Sequence, residues 1–279
     1  MLTLVWIPIL AKAVTTALLV VVASALAEAL GPLWGALVAS LPVSAGPAYV
    51  FLAMQHGDAF VAASALSSAA ANAATGLFLI VYAIRASKTS LWTSLTTAII
   101  AWLIGSLLIR QITWTPTTAA LLNLLIYSTG FILLRGKNTP TDRPAIPATR
   151  RWFDLPLRAI AVALFVSTVV GVSSILGPQA TGIAAVFPIS LISLIVILQP
   201  RIGGPASARL ASTALRAMLG FGLMLLVLHR VIQPLGTTPA FLVALLVSLL
   251  WSGGLLVLSG RARAFNGLRR VMMAAYTAR

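Results

Sequence analysis

Residues 30–44 read LGPLWGALVASLPVS, and residues 176–190 read LGPQATGIAAVFPIS. At an offset of 146 residues, Leu30, Gly31, Pro32, Ala39, Pro42 and Ser44 meet Leu176, Gly177, Pro178, Ala185, Pro188 and Ser190. Apolar coincidences are cheap in this chain. A Gly-Pro pair followed by a second proline at the same spacing is not. The same offset pairs Lys12 with Arg158, Gly57 with Gly203 and Gly76 with Gly222. Self-similarity at a fixed period marks an internal duplication, so the chain is expected to hold two copies of one unit.

Both segments lie among long apolar runs. Of 279 residues, 60% are hydrophobic and only 8% charged, and the mean hydropathy is +1.04. A soluble domain carries about 25% charged residues, so the chain is expected to be an all-α integral membrane protein with the lipid bilayer as its solvent. A spanning helix needs about 20 apolar residues. Nine runs qualify, near 4–29, 33–54, 59–84, 91–109, 117–134, 158–176, 179–198, 207–229 and 239–259.

The charges fix the order of crossing. If all nine runs cross and the N-terminus is outside, one side receives Arg85, Lys88, the basic residues of 135–158, Arg201, Arg209 and the tail from Arg261 onward. That is fifteen cations, against Lys12, Arg110 and Arg230 on the other side. Such a bias puts the rich side in the cytoplasm. It also explains the net charge of +15 without nucleic acid as a partner. Residues 135–154, RGKNTPTDRPAIPATRRWFD, are rich in proline and charge and read as a linker.

The expected layout is then a first membrane repeat at 1–110, a connector helix at 111–135, a cytoplasmic linker at 136–156, a second repeat at 157–260 and a basic tail at 261–279. Each repeat holds four helices. An odd number of helices precedes the second copy, so the repeats are expected to be inverted about an axis in the membrane plane. Loose similarity of Trp102–Leu107 (WLIGSL) to Trp251–Leu256 (WSGGLL) fits that count. The tail is expected to lie on the anionic leaflet.

The stretches LPVSAGPAYVFLAMQHG at 41–57 and ANAATGLF at 71–78 resemble those of uncharacterised bacterial inner-membrane proteins. The Leu30-Gly31-Pro32 motif with Pro42 is similar to that of LrgB-type membrane proteins. The resemblance covers the first three helices best. It implies a multi-pass location in the inner membrane and carries over no function.

Candidate site residues follow from what lipid forbids. Proline inside a helix removes a hydrogen bond, and freed backbone groups in lipid must find partners or line a polar cavity. Pro42 and Pro188 are expected to interrupt the second helix of their repeats. Ser44 and Ser190 follow each by two residues, and Gly46 extends the first break. Interrupted helices at matching positions of inverted repeats point to a transporter site; simple proline kinks are the alternative. Asn72, within the small-residue run SALSSAAANAATG at 64–76, must find a partner for its amide. The small residues around it read as close helix packing. Glu28 is either a proton-coupling carboxylate, its pKa raised by burial, or a residue that snorkels to water. Arg216 is open to three readings: an anion ligand, a partner for Glu28, or a snorkelling cation.

The sequence holds no cysteine and two histidines, so no metal and no cofactor is expected. It has no nucleotide-binding loop and no catalytic triad, so no enzyme is expected. The function expected is a secondary transporter or facilitator of a small neutral or anionic solute by alternating access. The alternative is a non-transporting scaffold or accessory subunit.

Overall fold

The computed structural model describes residues 45–135, 151 and 153–277, with isolated helical positions between 14 and 22; side chains are described as far as Leu258. Most of the expected first helix, Glu28, Gly31-Pro32, Pro42, Ser44 and most of the linker lie outside the described residues. Those described form nine helices and no strand. They are α1 (Ala45–Gln55), α2 (Asp58–Arg85), α3 (Leu91–Arg110), α4 (Pro116–Leu133), α5 (Asp154–Gly171), α6 (Ser173–Ala185), α7 (Ile189–Ile202), α8 (Gly204–Leu235) and α9 (Thr237–Thr277). Taking α6 and α7 as one interrupted span, seven helices among the described residues are long and apolar enough to cross a membrane. This is a multi-pass, all-helical membrane protein.

Local chemistry sets the helix starts where the sequence turns polar. Ser90 caps α3 by accepting from the Thr93 N–H. Thr115 and Thr118 form a reciprocal capping box at the start of α4, with Pro116 in its first turn, where a missing N–H costs nothing.

The helices alternate between two ends of the bundle. At one end the Asp154 carboxylate at the start of α5 takes a bidentate pair from Arg201 at the end of α7. There too, Gly204, opening α8, lies against the Ala86 carbonyl just past α2. At the other end His56 meets Ser173 at 2.8 Å, and Thr237, opening α9, donates to Asp58 at 2.8 Å. Arg85, Lys88, Arg135, Arg151 and Arg201 all fall at the first end. Arg110 and Arg230 fall at the second, so the charge imbalance of the sequence is also an imbalance between the ends of the fold.

At the centre stands α2, with 83% of its spanning window buried, against 17% for α9. Its small residues permit this. Ala65, Ala69, Ala73 and Ala83 are buried, and neighbouring helices come close over them. The bundle's outside is apolar: Leu103, Leu107, Leu121, Leu125, Leu242 and Leu250 are exposed large side chains, as lipid requires. The α8 helix runs antiparallel to α2. Ala62 pairs with His229, Asn72 with Met218, and Ala86 with Gly204.

Three boundaries differ from expectation. The helix expected to run from Arg158 to Leu176 starts at Asp154 and ends at Gly171, with Val172 as its cap. The Gly177-Pro178 pair therefore lies inside α6 rather than between helices. Gly177 takes a left-handed φ of +73°, open to glycine at no steric cost, so the helix kinks there and goes on. Finally, the last helix continues as backbone helix through the basic tail to Thr277.

Candidate functional site

The span from Ser173 to Ile202 is broken near its middle. Val186, at φ −100°, ends α6, and Pro188 caps α7 outside helical geometry. Pro188 has no N–H to offer. The Val186 and Phe187 N–H groups turn back to Ile183 and Ala184, and Ile189 reaches only to Phe187. This leaves the Gly182 carbonyl without Val186, its usual donor four residues on.

Hydroxyls from α2 compensate. Ser68 Oγ donates to the Gly182 carbonyl, and Thr75 Oγ1 to the Val186 carbonyl at 3.1 Å. Ser64 Oγ donates to the Pro178 carbonyl at 3.0 Å, beside the Gly177 kink. Ser64, Ser68 and Thr75 recur on one helix face, and α6 lies along it. Contact is backbone to backbone: a Cβ on Gly182 would sit 2.2 Å from the Ser64 carbonyl oxygen. Tyr49 from α1 donates to Ser68 at 2.6 Å, and Trp102 from α3 donates to Thr75 at 3.2 Å. Phe187, within the break, meets the Trp102 ring edge-on at 5.0 Å.

Ser190 lies two residues past Pro188. Its Oγ is buried and has no hydrogen-bond partner among the described residues. Of the expected set, Pro188 and Ser190 thus share the break. Gly46 sits in the first turn of α1, and a Cβ there would meet nothing within 4 Å. Pro42, Ser44 and Glu28 cannot be placed against it, being outside the described residues.

Asn72 occupies a second centre. Its Nδ2 donates to Asn123 Oδ1 and to the Met218 carbonyl, each at 2.9 Å. Asn123 in turn donates to the carbonyls of Ala69 and Ala119. The Tyr127 hydroxyl donates to the Asn72 carbonyl at 3.0 Å. Asn72 Oδ1 has no partner among the described residues. All three side chains are buried, and a Cβ on Gly222 would come within 2.7 Å of Asn72 Nδ2. This knot joins α2, α4 and α8, while Thr75, one turn further along α2, serves the break.

Sequence reasoning treated Ser64, Ser68 and Thr75 as packing residues and missed Asn123 and Tyr127. The spacing of the three hydroxyls along one face was the available signal. Among the described residues no three His, Cys, Asp or Glu side chains converge. The chemistry here is that of hydroxyl and amide hydrogen bonds in an apolar medium. No protein family, curated protein or solved structure matches the chain, so function has to be argued from this geometry.

Proposed function

We propose that the protein is a secondary transporter or facilitator of a small neutral or anionic solute in a bacterial inner membrane, working by rocking of two inverted repeats. The N-terminus is outside and the charge-rich end faces the cytoplasm. The observation that carries this reading is the mid-span break at Val186–Pro188, its freed carbonyls bonded by hydroxyls of α2, with the buried Ser190 Oγ beside it unpaired among the described residues. An unpaired hydroxyl at mid-depth is costly, and a passing solute with a polar group would complete its bonding. Supporting the inversion, α2 and α8 begin 146 residues apart and run antiparallel, as do the starts of α3 and α9 at Leu91 and Thr237. Gly57 and Gly203, paired by sequence, lie at opposite ends.

A non-transporting scaffold is the second reading. The packed Asn72–Asn123–Tyr127 knot favours it, because it leaves no room for a solute between α2, α4 and α8.

The chain lacks cysteine, so a single thiol can be placed without background. Ser190→Cys in inverted and right-side-out vesicles should react with a membrane-impermeant methanethiosulfonate from both sides. Proteoliposomes tested by light scattering with urea, glycerol and acetate should show faster entry of at least one solute than protein-free liposomes. A thiol reached from neither side, with no solute accelerated, sinks transport in favour of the scaffold.

A further inference from the structure

We propose that Arg135 and Arg216 form a binding site for the phosphate of an anionic lipid, in a cavity between α4, α8 and α9. The cavity measures about 490 Å³ and is lined by Phe131, Arg135, Arg216, Leu219, Trp251 and Leu255. Among the described lining residues the charged groups are two guanidiniums, and the others are apolar or aromatic. Neither arginine has an acidic partner among the described residues. There Asp154 is held by Arg201, and Asp58, at the opposite end, accepts from Thr237.

Geometry suits a headgroup with its chains. The α4 and α8 helices are antiparallel, with Asn123 beside Gly222 and Gly130 beside Leu215. Arg216 therefore lies roughly 9 Å further from the charge-rich end than Arg135, at 1.5 Å per residue. Helical side chains lean toward their own N-terminus, which for α8 is the charge-rich end, so Arg216 leans back toward the level of Arg135. Two cations at nearby levels match one phosphate, since guanidinium pairs well with phosphate oxygens. Phe131 lies between the levels of the two arginines, Leu255 lies level with Arg216, and Leu219 continues the wall on the apolar side of them.

The wall is built, not a chance gap. Trp251 Nε1 donates to the Arg216 carbonyl at 2.8 Å. Gly220 lets the indole lie on the α8 backbone, where a Cβ would come 2.1 Å from the ring. Ile132, Leu133, Val257 and Leu258, within three residues of the lining residues Phe131 and Leu255, are all more than half exposed. The cavity's surroundings are thus the lipid-facing belt of the bundle, which favours a lipid over a soluble anion. Basic pockets between membrane helices are suited to such headgroups.

The site can be read through Trp251. Purified protein would be reconstituted in vesicles of phosphatidylcholine with 20% phosphatidylglycerol, where either lipid carries brominated chains. Brominated phosphatidylglycerol should quench tryptophan emission several-fold more, per mole, than brominated phosphatidylcholine. Arg135→Gln with Arg216→Gln should remove that excess and leave quenching by phosphatidylcholine unchanged. Trp251→Phe should remove most of it. Equal quenching by the two lipids in the unmodified protein, which needs no variant to fold, overturns the proposal. So does an excess that survives the double substitution. An excess abolished by 10 mM inorganic phosphate also overturns it, because a soluble anion would then be the occupant.

Discussion

Replacing Asn72 by Ala removes two donated hydrogen bonds where no water can take them up. Asn123 Oδ1 loses its donor, while the Met218 carbonyl keeps its own helix. Side-chain hydrogen bonds between membrane helices are worth about 0.6 kcal/mol on average and up to about 1.7. We therefore expect Asn72→Ala to cost about 1–2 kcal/mol, read as a lower Tm in detergent. A Tm unchanged from the parent would show that the knot contributes nothing. Gly222→Ala should lose stability also, through overlap with Asn72 Nδ2. That Asn72 would need a hydrogen-bond partner was legible in the sequence, because an amide in an apolar run has to be satisfied. Its partners were not. Asn123 and Tyr127 lie 51 and 55 residues further on, on a helix that reads as a plain connector, and only packing brings them to α2.

The broken span is where local sequence and tertiary structure divide the work. Pro188 dictates that α7 cannot continue α6, and this much was readable. That the freed carbonyls would be met by Ser68 and Thr75 was not, because those hydroxyls lie in another helix. Pro188→Ala restores an N–H that can reach the Ala184 carbonyl and close the break. Removing an interior proline can recover up to about 3 kcal/mol, so Tm should stay level or rise, while uptake falls at least tenfold. Loss of uptake together with a falling Tm would mean that the proline serves folding alone. The turn at Gly171–Val172 was invisible for a plainer reason. The chain there reads TVVGVSSILGP, where Gly171 and two serines interrupt the apolar run too briefly to stand out beside the Gly-Pro pair. The Gly-Pro pair looked like the turn because both residues favour turns, yet Gly177 needed only its left-handed φ to kink a helix that goes on.

The described residues make the two ends of the bundle differ in charge. With Arg85, Lys88, Arg135, Arg151 and Arg201 gathered at one end, the proposed orientation puts that end in the cytoplasm by the positive-inside rule. A phosphatase fused after Arg279 should be inactive, and a green fluorescent protein fused there should fluoresce. Active phosphatase would reverse the orientation. The alternation of ends was legible from run lengths and charge alone, since each crossing costs about 20 apolar residues. The central place of α2 was legible only in part: its small side chains announced close packing, but not against which helices.

The antiparallel register of α2 and α8 has a mechanical consequence. Asn72 and Met218 are 146 residues apart and touch; on the proposed inverted-repeat reading they are counterparts, and the axis exchanging the two copies would pass through their contact. In a lever, the fulcrum moves least and the tips move most. Ala62 and His229 meet ten or eleven residues from that point, roughly 15 Å along the helices at 1.5 Å per residue. A seesaw motion would separate this pair at every stroke while barely disturbing Asn72. A disulfide between Ala62→Cys and His229→Cys should therefore stop uptake at least tenfold, with recovery on adding dithiothreitol; uptake indifferent to oxidation would mean that these tips do not part. On this view a dry, tightly bonded middle is the bearing on which the arms turn, and solute has to pass to one side of it, where Pro188 breaks the chain.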